Sequence, residues 1–227
     1  MKTIIVVGGS KGIGNAILKK LLNYSKVINI SRTIPEFKHA NLTHFYCDIT
    51  KDDLPDIETA DALIYCPGSI NLKPISRLSI EDFKNDFEIN VLGAVKAIQK
   101  YLSILKNGNH PAILLFSTVA TQLGMPFHSS IATAKSGVEG LVKSLGAELA
   151  PTIRINAIAP TVTNTDLSSK LLRNDKMIEN ITERHPLKKF LNPEEVADMA
   201  EFLISEKSAS LSGQIFKMDC GIVSFKI

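Results

Sequence analysis

The run Gly8-Gly9-Ser10-Lys11-Gly12-Ile13-Gly14 has residue types and spacing suited to holding a pyrophosphate against main-chain N–H groups. It follows an apolar β-branched run at once and opens a helical pattern, the context that lifts a glycine pattern above chance. Gly8 permits the sharp turn out of the strand, and Gly12 lets the backbone approach the phosphates. Gly14 lets the helix lie close to the sheet, with its N-terminus facing the anion. Ser10, Lys11 and Ile13 belong to the same expected cradle.

A second signal lies further on, at the end of the second strand. A site for NAD would place an acidic residue there to accept from the adenosine ribose, but the chain reads Ser31-Arg32. With no acid at that place, Arg32 and Lys11 supply positive charge suited to a 2′-phosphate, so the expected cofactor is NADP(H).

These residues must be carried by a sheet. Short apolar runs at Thr3–Val7, Lys26–Ile30, Asn41–Cys47, Ala62–Tyr65, Ala112–Phe116, Ile153–Ile158 and Gln214–Met218 read as strands. Helical patterns lie between most of them, at Ile13–Leu22, Ile80–Leu102, Ala132–Leu149 and Pro193–Leu203. The last has Asn192 as N-cap and Pro193 in its first turn. Strands apolar on both faces that alternate with helices predict a Rossmann-type α/β fold, a doubly wound parallel sheet of about seven strands covered on both sides. The 227 residues fit one such domain. The least regular stretch, Thr161–Lys189, is expected to form a mobile lid over a substrate.

Composition narrows the field. A formal charge of +3 from 26 basic and 23 acidic residues leaves no basic face for nucleic acid. The cysteines Cys47, Cys66 and Cys220 are odd in number and widely spaced, so they read as free thiols and not as metal ligands. The amino terminus runs directly into the first strand, with no cleavage site and no apolar run long enough for a membrane, and the expected location is the cytoplasm.

With the glycine loop in place, the chain resembles the short-chain dehydrogenase/reductase family from end to end, and the 3-oxoacyl-carrier-protein reductases within it most of all. Asp48-Ile49 resembles the family's adenine-contacting pair, and Tyr65-Cys66-Pro67-Gly68 stands where the family has Asn-Asn-Ala-Gly, with only Gly68 retained. Asn90 matches the asparagine that orders a proton-relay water in relatives, and Thr118 falls at the catalytic serine position. Lys135 matches the lysine that binds the nicotinamide ribose. Pro160-Thr161-Val162-Thr163-Asn164-Thr165 resembles the loop that contacts the nicotinamide, which brings Pro160, Thr163 and Thr165 into the expected site. Ser212-Gly213-Gln214 and Asp219-Cys220-Gly221 resemble the family's terminal strand region.

The resemblance breaks at one place. Relatives carry a tyrosine four residues before the lysine as proton donor, and here that position is Ile131, which has no proton to give. Of the four tyrosines only Tyr65, at the end of the fourth strand, is placed to lie near a cofactor. His128, with Ser129 and Ser130 just ahead of Ile131, is the best-suited replacement acid because its ordinary pKa is near neutrality.

The expectations are therefore a reductase of a carbonyl, using His128 or a Lys135–water–Asn90 relay, or of a conjugated enoyl group, using Thr118, Ser130 and Lys135 as donors. A catalytically silent dinucleotide-binding subunit and a redox-neutral enzyme remain as alternatives. The helices at Ile80–Leu102 and Ala132–Leu149 resemble those that pair across two-fold axes in relatives, and a homodimer or homotetramer is expected.

Overall fold

The computed structural model describes residues 1–225. Seven parallel strands form one sheet: β1 (Lys2–Val7), β2 (Ser25–Ser31), β3 (Leu42–Tyr46), β4 (Ala62–Tyr65), β5 (Ala112–Phe116), β6 (Arg154–Pro160) and β7 (Ile215–Met218), in the order β3-β2-β1-β4-β5-β6-β7. The chain winds outward from β1 to β3, then returns to the other side of β1 as β4. The reversal leaves a crevice at the carboxyl ends of β1 and β4, the place where open α/β sheets bind ligands.

Alternation along the strands sorts the core into two layers. Ile5 and Val7 of β1 pack with Tyr101, Leu105, Val138 and Val142 on one face. Ile4 and Val6 pack with Ile17, Leu18, Val196 and Ala200 on the other. Helices α1 (Gly12–Leu21) and α6 (Pro193–Ile204) cover the second face; α3 (Gly93–Lys106) and α4 (Ser129–Leu149) lie on the first, with α2 (Ile80–Phe87) packed against α4.

Two helices depart from expectation. The single helix predicted over Ile80–Leu102 is broken by a wider π turn, Glu88–Leu92, between α2 and α3. Side chains bond the carbonyls beside that break: the Tyr65 hydroxyl donates to Ile89 O (2.6 Å) and Asn90 Nδ2 donates to Asp86 O (2.7 Å). The expected irregular stretch Thr161–Lys189 contains a regular helix, α5 (Asp175–Arg184), whose N-cap Asn174 accepts from Met177 N. Capping and a half-buried stripe of Met177, Ile178 and Ile181 hold it, although none of its residues is fully buried. The predicted start of α6 stands, with Pro193 at its head and a reciprocal Asn192–Glu195 capping box.

Candidate functional site

The crevice has two joined parts. The larger, about 490 Å³, runs along the carboxyl ends of β1 to β4. Its floor is the glycine loop, where Gly8 (φ +80°) and Gly12 (φ +53°) take the left-handed conformation that glycine alone adopts freely. A Cβ on Gly14 would lie 2.2 Å from Gly8 O, so helix α1 can sit this close to the turn only because the side chain is absent. The Asn29 side chain fixes the loop, with Oδ1 accepting from Gly9 N (2.9 Å) and Nδ2 donating to Ser31 Oγ (2.9 Å).

At the head of α1 the N-cap is Lys11, with no side-chain hydrogen bond to the first turn, and no acidic residue lies in that turn. Uncapped N–H groups at a helix N-terminus fit an anionic phosphate. Ser10, Lys11 and Ile13 line this part, together with Ser31, Arg32, Asp48, Ile49 and Gly68. Thr165 reaches in from the opposite wall. Asp48 is held below the usual carboxylate range, chiefly because the Thr50 hydroxyl donates to it (2.7 Å). Neither Arg32 nor Lys11 forms an ion pair among the described residues, which leaves both charges free for a ligand. The donor set thus fits a dinucleotide. Sequence reasoning passed over Asn29, inside β2, and Thr33 and Thr50; for the two threonines, short polar side chains after strands were the available signal.

The second part, about 190 Å³, lies beyond Gly68 and is walled by Thr118, His128, Ile131, Lys135, Pro160 and Thr163, among others. Lys135 is almost fully buried; its Nζ donates to Phe116 O (2.8 Å), and burial pushes its pKa down to about 8. Thr118 caps a short turn by accepting from Ala120 N (3.3 Å), leaving its own proton for the pocket. Behind it Ser117 and Thr121 both donate to Glu139 (2.6 and 2.7 Å), a buttress that sequence reasoning missed. Thr163 turns its hydroxyl into its own loop, to Thr161 O (3.1 Å), so it faces the pocket mainly as backbone and methyl.

Asn90 lies behind this wall, 1% exposed. Its Oδ1 has no hydrogen-bond partner among the described residues, and a Cβ on Gly68 would stand 3.2 Å from that oxygen and 3.5 Å from Lys135 Nζ. A buried acceptor left open beside an ammonium calls for a polar ligand at that point. Tyr65 is not available to supply a proton: it is 2% exposed, its hydroxyl is bonded to Ile89 O, and burial raises its pKa far above the ordinary value. Ile131 is 5% exposed and apolar. His128 reaches the pocket, but its Nδ1 lies 2.7 Å from Pro126 O, an acceptor, so that nitrogen carries the proton. Nε2 then donates only in the imidazolium form.

One cluster here was not foreseen. Asp86, 3% exposed, receives the Ser69 hydroxyl on Oδ1 (2.5 Å) and the Ser130 hydroxyl on Oδ2 (2.6 Å), while Asn90 Nδ2 donates to Ser69 Oγ (3.0 Å). Asp86 lies four residues before Asn90, on the same face of the helix.

Comparison with known proteins agrees with this architecture. The family model described as enoyl-(acyl carrier protein) reductase matches residues 45–223. The chain is 27% identical to 2,5-dichloro-2,5-cyclohexadiene-1,4-diol dehydrogenase of Sphingobium indicum, with 98% of this chain and 97% of that protein aligned. It is 27% identical to a 3-oxoacyl-(acyl-carrier-protein) reductase of Chlamydia trachomatis, with 97% of each covered. A short chain dehydrogenase family protein from Francisella tularensis superposes with a TM-score of 0.91 at 27% identity, covering 99% of this chain and 100% of that one. The chain belongs to the short-chain dehydrogenase/reductase family, and its class is that of an oxidoreductase.

Proposed function

We propose that the protein is an NADP(H)-dependent reductase of a carbonyl or conjugated enoyl substrate, working with an atypical proton donor because Ile131 stands where relatives carry tyrosine. The observation that carries this reading is that the open Asn90 oxygen and Lys135 Nζ both lie beside Gly68, which lines both parts of the crevice, while Thr118 lines the second part. A silent subunit has no need of a buried ammonium, which burial alone makes costly. Arg32, just after β2, and Lys11, at the head of α1, neither in an ion pair among the described residues, favour the 2′-phosphate.

When bound, the reduced nicotinamide supplies hydride. The uncapped first turn of α1 holds the pyrophosphate, and Asp48 and Ile49 take the adenine end. Lys135 binds the nicotinamide ribose, and Thr118 donates to the developing oxyanion. The apolar walls of Ile131, Val162 and Leu171 exclude water from the reacting carbon. Half-exposed Phe87 and Leu92, on the side of the molecule formed by α2 to α4, support a homodimer or homotetramer built on that side; Val142, by contrast, is wholly core.

The test is NADPH oxidation against a panel of carbonyl and enoyl substrates. Turnover is expected with at least one class. A protein that binds NADPH and reduces none of them is a dinucleotide-binding regulator, the reading that Ile131 by itself would favour.

A further inference from the structure

Six hydroxyl side chains line the second part of the crevice: Ser69, Ser117, Thr118, Thr161, Thr163 and Thr165. All but one spend their proton inside the protein. Ser69 donates to Asp86 (2.5 Å), Ser117 to Glu139 (2.6 Å), Thr163 to Thr161 O (3.1 Å) and Thr165 to Thr163 O (3.4 Å). Thr161 Oγ1 lies 2.7 Å from His185 Nε2, and His185 Nδ1 lies 2.7 Å from Ile181 O, which can only accept. Nδ1 therefore carries the proton of the neutral ring, and Thr161 donates to Nε2. Thr118 is the exception: it accepts from Ala120 N, and its own proton has no acceptor among the described residues.

The two basic side chains of the wall are engaged as well. Lys135 donates to Phe116 O (2.8 Å) and, in the reductase reading above, to the nicotinamide ribose; His128 gives its Nδ1 proton to Pro126 O (2.7 Å). Most of the remaining wall is hydrocarbon, with Ile70, Leu72, Met125, Ile131, Val162 and Leu171 as its main surfaces. One side-chain O–H thus faces a largely apolar cavity. Its volume, about 190 Å³, equals the liquid share of about six waters, the room of a small ring or a short branched chain.

We propose that the substrate is a small uncharged ketone or enone flanked by hydrocarbon, with the reacting carbonyl oxygen as its single hydrogen-bond acceptor. This rests on the reductase reading above. The carbonyl oxygen accepts from Thr118, and the apolar walls take the flanks. A second acceptor oxygen, whether of an ether, a thioester or a carboxylate, meets no side-chain O–H with a proton to offer, and it leaves water unpaired. An anion is refused more strongly, since burying a charge costs more than burying a neutral oxygen.

The test compares ring ketones of one shape in holoenzyme assays with NADPH: cyclohexanone, 4-methylcyclohexanone, tetrahydropyran-4-one and 4-oxocyclohexanecarboxylate, with cyclohex-2-enone as the enone. The added methyl should raise kcat/KM about fourfold over cyclohexanone, the worth of one buried carbon. The ether oxygen of tetrahydropyran-4-one should lower it about 10- to 100-fold, although that oxygen makes the carbonyl more electrophilic, and the carboxylate should lower it further. A kcat/KM on the ether or the keto acid that equals or exceeds that on cyclohexanone overturns the proposal. Turnover confined to thioesters, sugars or keto acids overturns it too. Calorimetric titration of cyclohexanone and tetrahydropyran-4-one into the NADP+ complex, which can reduce neither, gives a readout besides activity, and the ether should bind about 10- to 100-fold more weakly. If wild type binds NADPH but reduces nothing, the reductase reading has failed and this titration decides the ligand class by itself. An ether that binds as tightly as its carbon counterpart overturns the proposal.

Discussion

At the head of α1 the first turn has no side-chain cap, and the glycines around it strip the surface down to backbone. At the head of α4 the surface is made of side chains: Ser130 faces Asp86, Lys135 reaches Phe116 O, and Ile131 closes the gap between them. The nucleotide half therefore waits for its ligand with unused main-chain donors, whereas the reaction half has committed most of its hydrogen bonds within the protein. A backbone cradle tolerates few substitutions, because each glycine does a geometric task. A side-chain network can be rewired, because one hydroxyl or carboxyl can stand in for another.

The sharpest way to break that contrast is to put a phenol back at position 131. If the reaction half lacks only its acid, Ile131→Tyr should raise NADPH-dependent ketone reduction by about 10²- to 10⁴-fold, the range of general acid catalysis. Ketone reduction measured in wild type and in Ile131→Tyr decides this. A variant that binds NADPH normally and gains nothing would mean that the reaction half has drifted beyond the missing acid.

The next effect is on stability. Burial lowers the Lys135 pKa to about 8 from the ordinary 10.5, so at pH 7 both folded and unfolded chains hold the proton and the folded chain bears the full cost. Between the folded and unfolded pKa values the unfolded chain still binds a proton that the folded chain has released, and stability rises with pH by up to about 3 kcal/mol. Lys135→Met should be more stable than wild type at pH 7, and the advantage should shrink steadily toward pH 10. Chemical denaturation of both proteins across that range checks it; a constant difference would show that Lys135 is not desolvated.

The contrast between the two halves also explains what could be read in the sequence. The sheet was legible because its strands are apolar on both faces and each ends near a turn signal, and the observed strands begin and end within about two residues of the expected ones. The glycine loop was legible because its chemistry is written in consecutive residues. Asp86 was not: along the chain it reads as a solvated charge on an amphipathic helix, and only the fold brings Ser69 and Ser130, 17 and 44 residues away, onto it. The break at Glu88–Leu92 was hidden for a related reason. It is held by Tyr65, 24 residues before Ile89, and no local propensity marks it.

A smaller effect probes the nucleotide half. Arg32→Ala should weaken NADPH binding by about 10- to 100-fold, the worth of a charge-assisted phosphate contact, and leave NADH almost unchanged. Calorimetric titration of both cofactors is the measurement. Equal losses for the two would assign Arg32 to the adenine or to general charge, and would remove the case for the 2′-phosphate.

The smallest expected effect lies in the segment that joins the two halves. Helix α5 follows the loop whose Thr165 lines both parts of the crevice, and it has no fully buried residue of its own. Its start depends on the Asn174 side chain accepting from Met177 N (3.0 Å), and its end is pinned where buried His185 bonds Thr161 Oγ1 (2.7 Å) and Ile181 O (2.7 Å). Asn174→Ala should cost the helix about 1 kcal/mol, the usual worth of an N-cap. Because so little core rests on α5, that loss should appear as faster amide exchange confined to residues 175–184 and leave global melting unchanged. Faster exchange that spread into β6 or α6 would show instead that α5 unfolds only with the sheet, and that the cover over the substrate pocket is part of the rigid core.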